Sequence, residues 1–160
     1  MIYWLNRKTE RALAAYLGTI VPGEMRVYRS TDMTPRQFPC AVVRAHTVRR
    51  LKGQAHAGNR IEASVIVMNE YANTVDGQAA VVARFDEIEE RSVSACMEAL
   101  FLGDGELATA LNATGTDGVT FHYAAIGNDD ERPVVAQTTE DGNHSLVEIP
   151  LVIMAGAVEE

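Results

Sequence analysis

Four histidines, two cysteines and several runs of carboxylates are the side chains of this chain that could do chemistry. A hydrolytic zinc centre needs three or four donors converging on one point, which a sequence announces as closely spaced His and carboxylate residues. Here the histidines are scattered. His46 and His56 straddle a basic connection, His122 alternates on a predicted strand and His144 lies in a predicted turn, so each reads as structural. Asp129-Asp130-Glu131 could offer oxygens to a hard cation, but consecutive carboxylates in a turn read first as a solvated corner. Cys40 and Cys96 sit in apolar runs, Pro-Cys-Ala-Val-Val and Ser-Ala-Cys-Met, without the close pairing of metal or redox motifs; they read as buried free thiols. The chain contains no P-loop, no Gly-x-Ser-x-Gly elbow and no dinucleotide fingerprint, and Gly103-Asp-Gly-Glu is too short to stand in for one. The expectation is a protein that is not an enzyme, with no catalytic, cofactor-binding or metal residues.

Charge narrows the partners. A formal net charge of -8 opposes general attraction to a phosphate backbone, so free nucleic acid is a poor partner. The charges are also segregated along the chain. Arg44, Arg49, Arg50, Lys52 and Arg60, with His46 and His56 among them, make the middle of the first half basic, while carboxylates gather at Asp86 to Glu90, Asp129 to Glu131 and Glu140 to Asp141. Separated charge of both signs lets identical copies attract one another head to tail. Nowhere do about eighteen apolar residues run together, and the amino-terminal residues lack the apolar core of a signal segment. The expectation is therefore no membrane contact and a protein kept in the cytosol, where the sequons at Asn112 and Asn143 are chance matches.

The elements that would position these residues follow from periodicity. At 160 residues the chain fits a single domain, 1–160, long enough to bury roughly 70% of its unfolded surface. The longest signal runs from Asp76 to Leu102. Val81, Phe85, Ile88, Ser92, Ala95 and Ala99 recur at steps of four and three, with Arg84, Glu87, Arg91, Ser94 and Glu98 opposite, which predicts one amphipathic helix. Glu87 and Arg91 stand four apart in the favourable order, worth a few tenths of a kcal/mol on an exposed face. Asn6 to Leu17 predicts a first helix with Gly18 as its stop, and Pro22-Gly23 turns the chain.

Met25 to Arg29, Cys40 to Val48 and Arg60 to Tyr71 predict strands; the last has apolar residues on both faces and should lie centrally. Ser30 to Pro39, with Pro35 and Pro39, reads as a surface connection. The polar stretch at about 49–59 exceeds the usual two to five residues of a hairpin loop and should project. After the long helix, Glu106 to Leu111 predicts a further helical turn or two. Val119 to Ile126, Pro133 to Thr139 and Ser145 to Met154 then predict three antiparallel strands, with Pro150 at an edge or a bulge because it cannot donate to a ladder. The fold class is α+β: a mainly antiparallel sheet packed on one face by an amino-terminal helix and the long central helix.

In order and size these elements resemble the tail-terminator and related neck or minor tail proteins of long-tailed bacteriophages: helix, short strand, Phe38-Pro39-Cys-Ala-Val-Val strand, basic connection, central strand, long helix, carboxy-terminal meander. The resemblance covers about Asn6 to Val158 and carries no short motif, so no functional residue transfers by position. It implies a virion protein, assembled in the bacterial host cytoplasm, that forms a homo-oligomeric ring, commonly a hexamer. Such a ring docks on the tail-tube protein, ends tail polymerisation and presents a surface for head-tail joining through the connector protein, while DNA passes through its lumen without specific binding. A head-completion or connector role in the neck is the alternative, and a small enzyme a more remote one. That role needs surfaces that neighbouring copies complete. Arg49, Arg50, Lys52 and Arg60 on one side, and Asp86, Glu87, Glu89 and Glu90 on the other, are the candidate residues of the subunit contact.

Overall fold

Residues Asn59 to Glu70 alternate between one fully buried face and one half-exposed face, as a central strand covered on a single side must. The computed structural model describes residues 2–23, 25–29, 37–50, 58–70, 78–103, 105–127, 137–141 and 144–157. Its elements are α1 (Ile2–Ile20), β1 (Arg26–Arg29), β2 (Cys40–Arg50), β3 (Asn59–Glu70), α2 (Gln78–Leu100), α3 (Glu106–Asn112), β4 (Val119–Ile126), β5 (Gln137–Asp141) and β6 (His144–Ala157). The fold is α+β. The strands form one sheet in the order β1-β2-β3-β6-β4, with β5 also on β6. Among the described strand pairs only β1–β2 is parallel. As its two-faced apolar pattern implied, β3 is central.

One core lies on the inner face of the sheet. Ala41, Val43, Ile61, Ala63, Val65, Val67, Ile149, Leu151 and Ile153 meet Leu13 and Leu17 of α1, Cys96 and Leu100 of α2, and Leu107 and Leu111 of α3. Each fully buried leucine of this set contributes about 1.5–3 kcal/mol. In α2 the expected inward residues Ser92 and Ala99 are buried, Ile88 and Ala95 half-buried, and Glu87, Arg91, Ser94 and Glu98 exposed. The side chains of Val81, Arg84 and Phe85 lie outside the described residues.

α1 runs through Gly18 to Ile20 instead of stopping at the glycine. Pro22 ends it, because proline disfavours helical backbone in the residue before it. Tyr16 of this helix donates its hydroxyl to the Ala99 carbonyl of α2 at 2.5 Å, which fixes the two helices against each other.

Pro150 is neither at an edge nor in a bulge: it sits in the middle of β6, opposite Ser64 of the central strand. The second neighbour of β6 explains the tolerance. β5 ends its ladder at Glu148 and β4 begins its own at Leu151, so Pro150 falls between the two. Its carbonyl accepts from Gly127 at 2.9 Å on that side. A residue's N–H points the same way as its C=O in a strand, so the missing donor faces the junction of the two ladders and the β3 side of the strand loses nothing.

Both neighbours of the central pair carry a β-bulge, and each bulge contains a histidine. Register slips between Ala45 and Thr47 in β2, and between Phe121 and Tyr123 in β4. Bulges bend and twist a strand, and two of them flanking β3 and β6 curl the sheet around the helices. Beside each bulge a side chain replaces a missing strand partner. Beyond the end of β1, the Ala45 N–H donates to the Glu10 carboxylate at 3.1 Å. On β4, the Asn112 amide accepts from the Phe121 N–H at 2.8 Å and donates to the Phe121 carbonyl at 2.9 Å. Both devices blunt an edge that would otherwise offer bare backbone, and the second commits the Asn112 sequon to the fold.

The expected projecting connection at about 49–59 is shorter than its sequence suggests. Arg49 pairs with Arg60 and Arg50 with Asn59, so the strands consume both ends of it. Residues 51–57, including Lys52 and His56, lie outside the described residues, as do Asp129, Asp130, Glu131 and Asn143.

Candidate functional site

The face of the sheet away from the helices mixes half-buried apolar side chains with charged ones. Because β2, β3, β6 and β4 are in register, its side chains can be read row by row. One row runs Arg49, Arg60, Met154, Tyr123; the next runs Thr47, Glu62, Val152, Ala125; the next Arg44, Ser64, Pro150. A further row holds Val42, Ile66 and Glu148, followed by Cys40, Met68 and Leu146. Val42, Ile66, Met68, Leu146, Val152 and Met154 are only half-buried, and Tyr123 is 48% exposed. No helix among the described elements lies over them. At one end Phe38 crosses onto this face, its ring 4.7 Å from that of His144.

A polar chain spans the middle of the face. Ser64, only 2% exposed, donates to Glu148 Oε1 at 2.8 Å. The bulged His46 brings Nε2 to 3.4 Å from Ser64 Oγ and Nδ1 to 3.4 Å from Thr47 Oγ1, both weak contacts at that length. Activating a serine requires the imidazole to take the hydroxyl proton, whereas here the carboxylate holds it. The chain joins β2, β3 and β6 across their outer side.

The subunit-contact candidates divide on this geometry. Arg49 is exposed at the β2 side of the outer face. Arg60 stands directly opposite it but is half-buried, with Nη2 3.9 Å from Glu62 Oε1, so part of its charge is answered within the chain. Arg50 closes β2 and its side chain, like Lys52, lies outside the described residues. Asp86, Glu87 and Glu90 are exposed on α2. Glu89 corrects the expectation for its run: it turns inward and accepts a hydrogen bond from the buried Ser145 hydroxyl of β6. Ser92, one turn on, donates to the Glu89 carbonyl at 3.0 Å and stands 3.2 Å from the Asn69 amide. Glu89 thus fastens α2 to the sheet. Sequence reasoning also left Arg44 and His46 out of the contact, although both are exposed on the same edge; the signal available was the apolar content of both faces of β3, which marks the outer face as a surface.

Both cysteines are buried free thiols, as their apolar runs imply, Cys96 within the inner core and Cys40 at the start of β2. Burial pushes Cys40 from 9.0 to about 11 and Cys96 from 9.0 to about 12, the latter also raised by Cys40. Burial raises the Tyr16 phenol as well. Groups held neutral this way favour the fold fully below their unfolded pKa and lose that contribution as pH rises through the folded value. Stability should therefore decline from about pH 9 upward. At pH 8 the native protein should resist iodoacetamide at both cysteines and react at both once unfolded in urea, because the thiolate is the nucleophile. Rapid labelling of the native protein, followed by mass spectrometry, would contradict the burial of these sites.

Among the described residues no three His, Cys, Asp or Glu side chains gather as metal ligands, and no helix is long and apolar enough to cross a membrane. The amino-acid sequence matches no protein-family model and no curated protein.

Proposed function

We propose that this chain is a structural virion protein of a long-tailed phage: a subunit of a homo-oligomeric ring that caps the tail tube, ends its polymerisation and offers the interface for head attachment. The observation that carries the reading is the one-sided sheet. Helices bury its inner face, while the outer face keeps half-exposed Ile66, Met68, Val152 and Met154 beside exposed Arg44 and Arg49. Apolar and charged surface placed together on a rigid sheet is what a recurrent protein contact uses. The order of elements, already similar to that of tail-terminator proteins, agrees with this use. In such a ring the activity is geometry: a fixed diameter set by the sheet and helix layers, and unlike upper and lower faces, so that growth halts.

Size-exclusion chromatography with light scattering, at high protein concentration, should give a closed oligomer that binds purified tail tubes. A strict monomer that also fails to cap tubes would overturn the proposal. In the phage, deleting the gene should leave overlong tails. Tails of normal length lying unattached to heads would move the assignment to a connector role in the neck.

A further inference from the structure

We propose that the outer sheet face of one protomer receives helix α2 of a second copy, with the Arg44–Arg49 edge of β2 lying along the acidic stripe of that helix. This rests on the assembly reading above and specifies which surfaces meet. The docking face has two parts. Arg44, His46 and Arg49 are exposed along the β2 side, and the half-buried Val42, Ile66 and Val152 continue the surface inward. Of the carboxylates on this face, Glu62 stands 3.9 Å from Arg60, and Glu148, which keeps its charge while accepting from Ser64, lies on β6 with β3 between it and β2. The β2 side itself carries Arg44 and Arg49 and no carboxylate, so that edge is positive.

The complementary surface is on the opposite side of the same molecule. Through Ser92 and Glu89, α2 is held to the inner face, so its far side points away from the outer face. That far side exposes Asp86, Glu87, Glu90 and Glu98, with Arg91 and Ser94 beside them. Glu87, Glu90 or Arg91, Ser94 and Glu98 repeat at three to four residues and so share one stripe.

The lengths are comparable. Eleven helical steps from Glu87 to Glu98 span about 16 Å at 1.5 Å each. The bulged strand from Arg44 to Arg49 runs alongside four steps of β3, Ser64 to Arg60, about 13 Å at roughly 3.3 Å each, so both arginines fall within the length of the stripe. A second copy also fits better than any other occupant, because both halves of the complementary pair belong to this chain and sit back to back. Such a contact is heterologous: each protomer gives α2 to one neighbour and its sheet face to the other, which closes as a ring when the rotation permits.

Charge reversal tests this with two variants. Arg44→Glu with Arg49→Glu makes both surfaces acidic, and Glu87→Arg with Glu90→Arg makes both basic. Each variant alone should associate at least ~tenfold more weakly than the unaltered chain while keeping its circular dichroism. Mixed in equal amounts they should reassemble into rings in which the two alternate, because the mixture holds one native and one inverted contact. Should the strand not tolerate reversal, Arg44→Gln with Arg49→Gln should give weaker association and a shallower salt dependence. Folded variants that assemble as the unaltered chain does, or that fail to reassemble when mixed, would overturn the proposed contact and leave the assembly reading standing. An unaltered chain that stays monomeric at every concentration would overturn both.

Discussion

Replacing Glu10 with alanine should cost the fold about 3 kcal/mol, more than any exposed substitution in this chain. Glu10 lies on α1 with its side chain 2% exposed. Its carboxylate accepts from the Ala45 N–H at 3.1 Å and stands 3.7 Å from Arg7 Nη1 and 3.9 Å from Arg29 Nη2. The hydrogen bond is the larger part. A charged acceptor on a buried donor contributes roughly 1.5–3 kcal/mol, and alanine would leave the Ala45 N–H without it at the start of a bulge. The ion pairs add less, since the Arg7 and Arg29 side chains are 35% and 27% exposed and their contacts are long.

Glu10→Gln keeps an acceptor for Ala45 and should lose about half as much. Urea unfolding followed by circular dichroism reads both variants. A Glu10→Ala protein unfolding at the unaltered midpoint would show that the carboxylate is dispensable. The residue matters beyond stability, because Ala45 precedes His46: the same bond that ties α1 to β2 holds the bulge presenting the outer-face edge.

Gly58→Ala should destabilise by a similar amount, about 2–4 kcal/mol. Gly58 enters β3 at φ 66. That region costs an alanine about 1–2 kcal/mol, since its Cβ crowds the backbone. Its surroundings leave no room either. An added Cβ would come within 2.7 Å of the Ala155 carbonyl oxygen and 2.9 Å of Gly156 Cα. Both atoms belong to backbone that a rotamer change cannot move, so the ends of β3 and β6 would have to separate. The variant should unfold at lower urea, and amide exchange near Asn59 and Ala155, which face each other across the ladder, should accelerate. A substitution at Gly105, with φ 73 and nothing near its would-be Cβ, isolates the backbone term alone. Equal losses at the two sites would mean that the close approach of β6 contributes nothing.

Much of the architecture was legible because burial repeats with the period of each element. β4 is found at its predicted limits, Val119–Ile126, and the inward and outward residues of β3 separate as their alternation requires. Errors arose where a local signal met a tertiary neighbour. Gly18 looked like a helix stop, yet the helix continues until Pro22 forbids it. Pro150 looked like an edge residue, because its missing donor is a local property. Whether a strand wants that donor depends on two other strands, and their junction opposite Pro150 is invisible in sequence. Glu89 was read with Asp86, Glu87 and Glu90 as one acidic run. Those three are exposed whereas Glu89 is half-buried, because helical geometry turns it toward Ser145, 56 residues away in the chain.

By itself the amino-acid order determined the element types, the single α+β layer and the segregation of charge, since each depends on residues within a turn or a strand of one another. Only the tertiary structure decided which charges share a surface. Arg44 and Arg49 reach the same edge because a bulge at His46 shifts the pleat between them, and that edge is positive because Arg60 answers Glu62 while Glu148 lies beyond β3 on β6. Strand pairing joins residues far apart in sequence, and the registers that align them arise from the packing of the whole core.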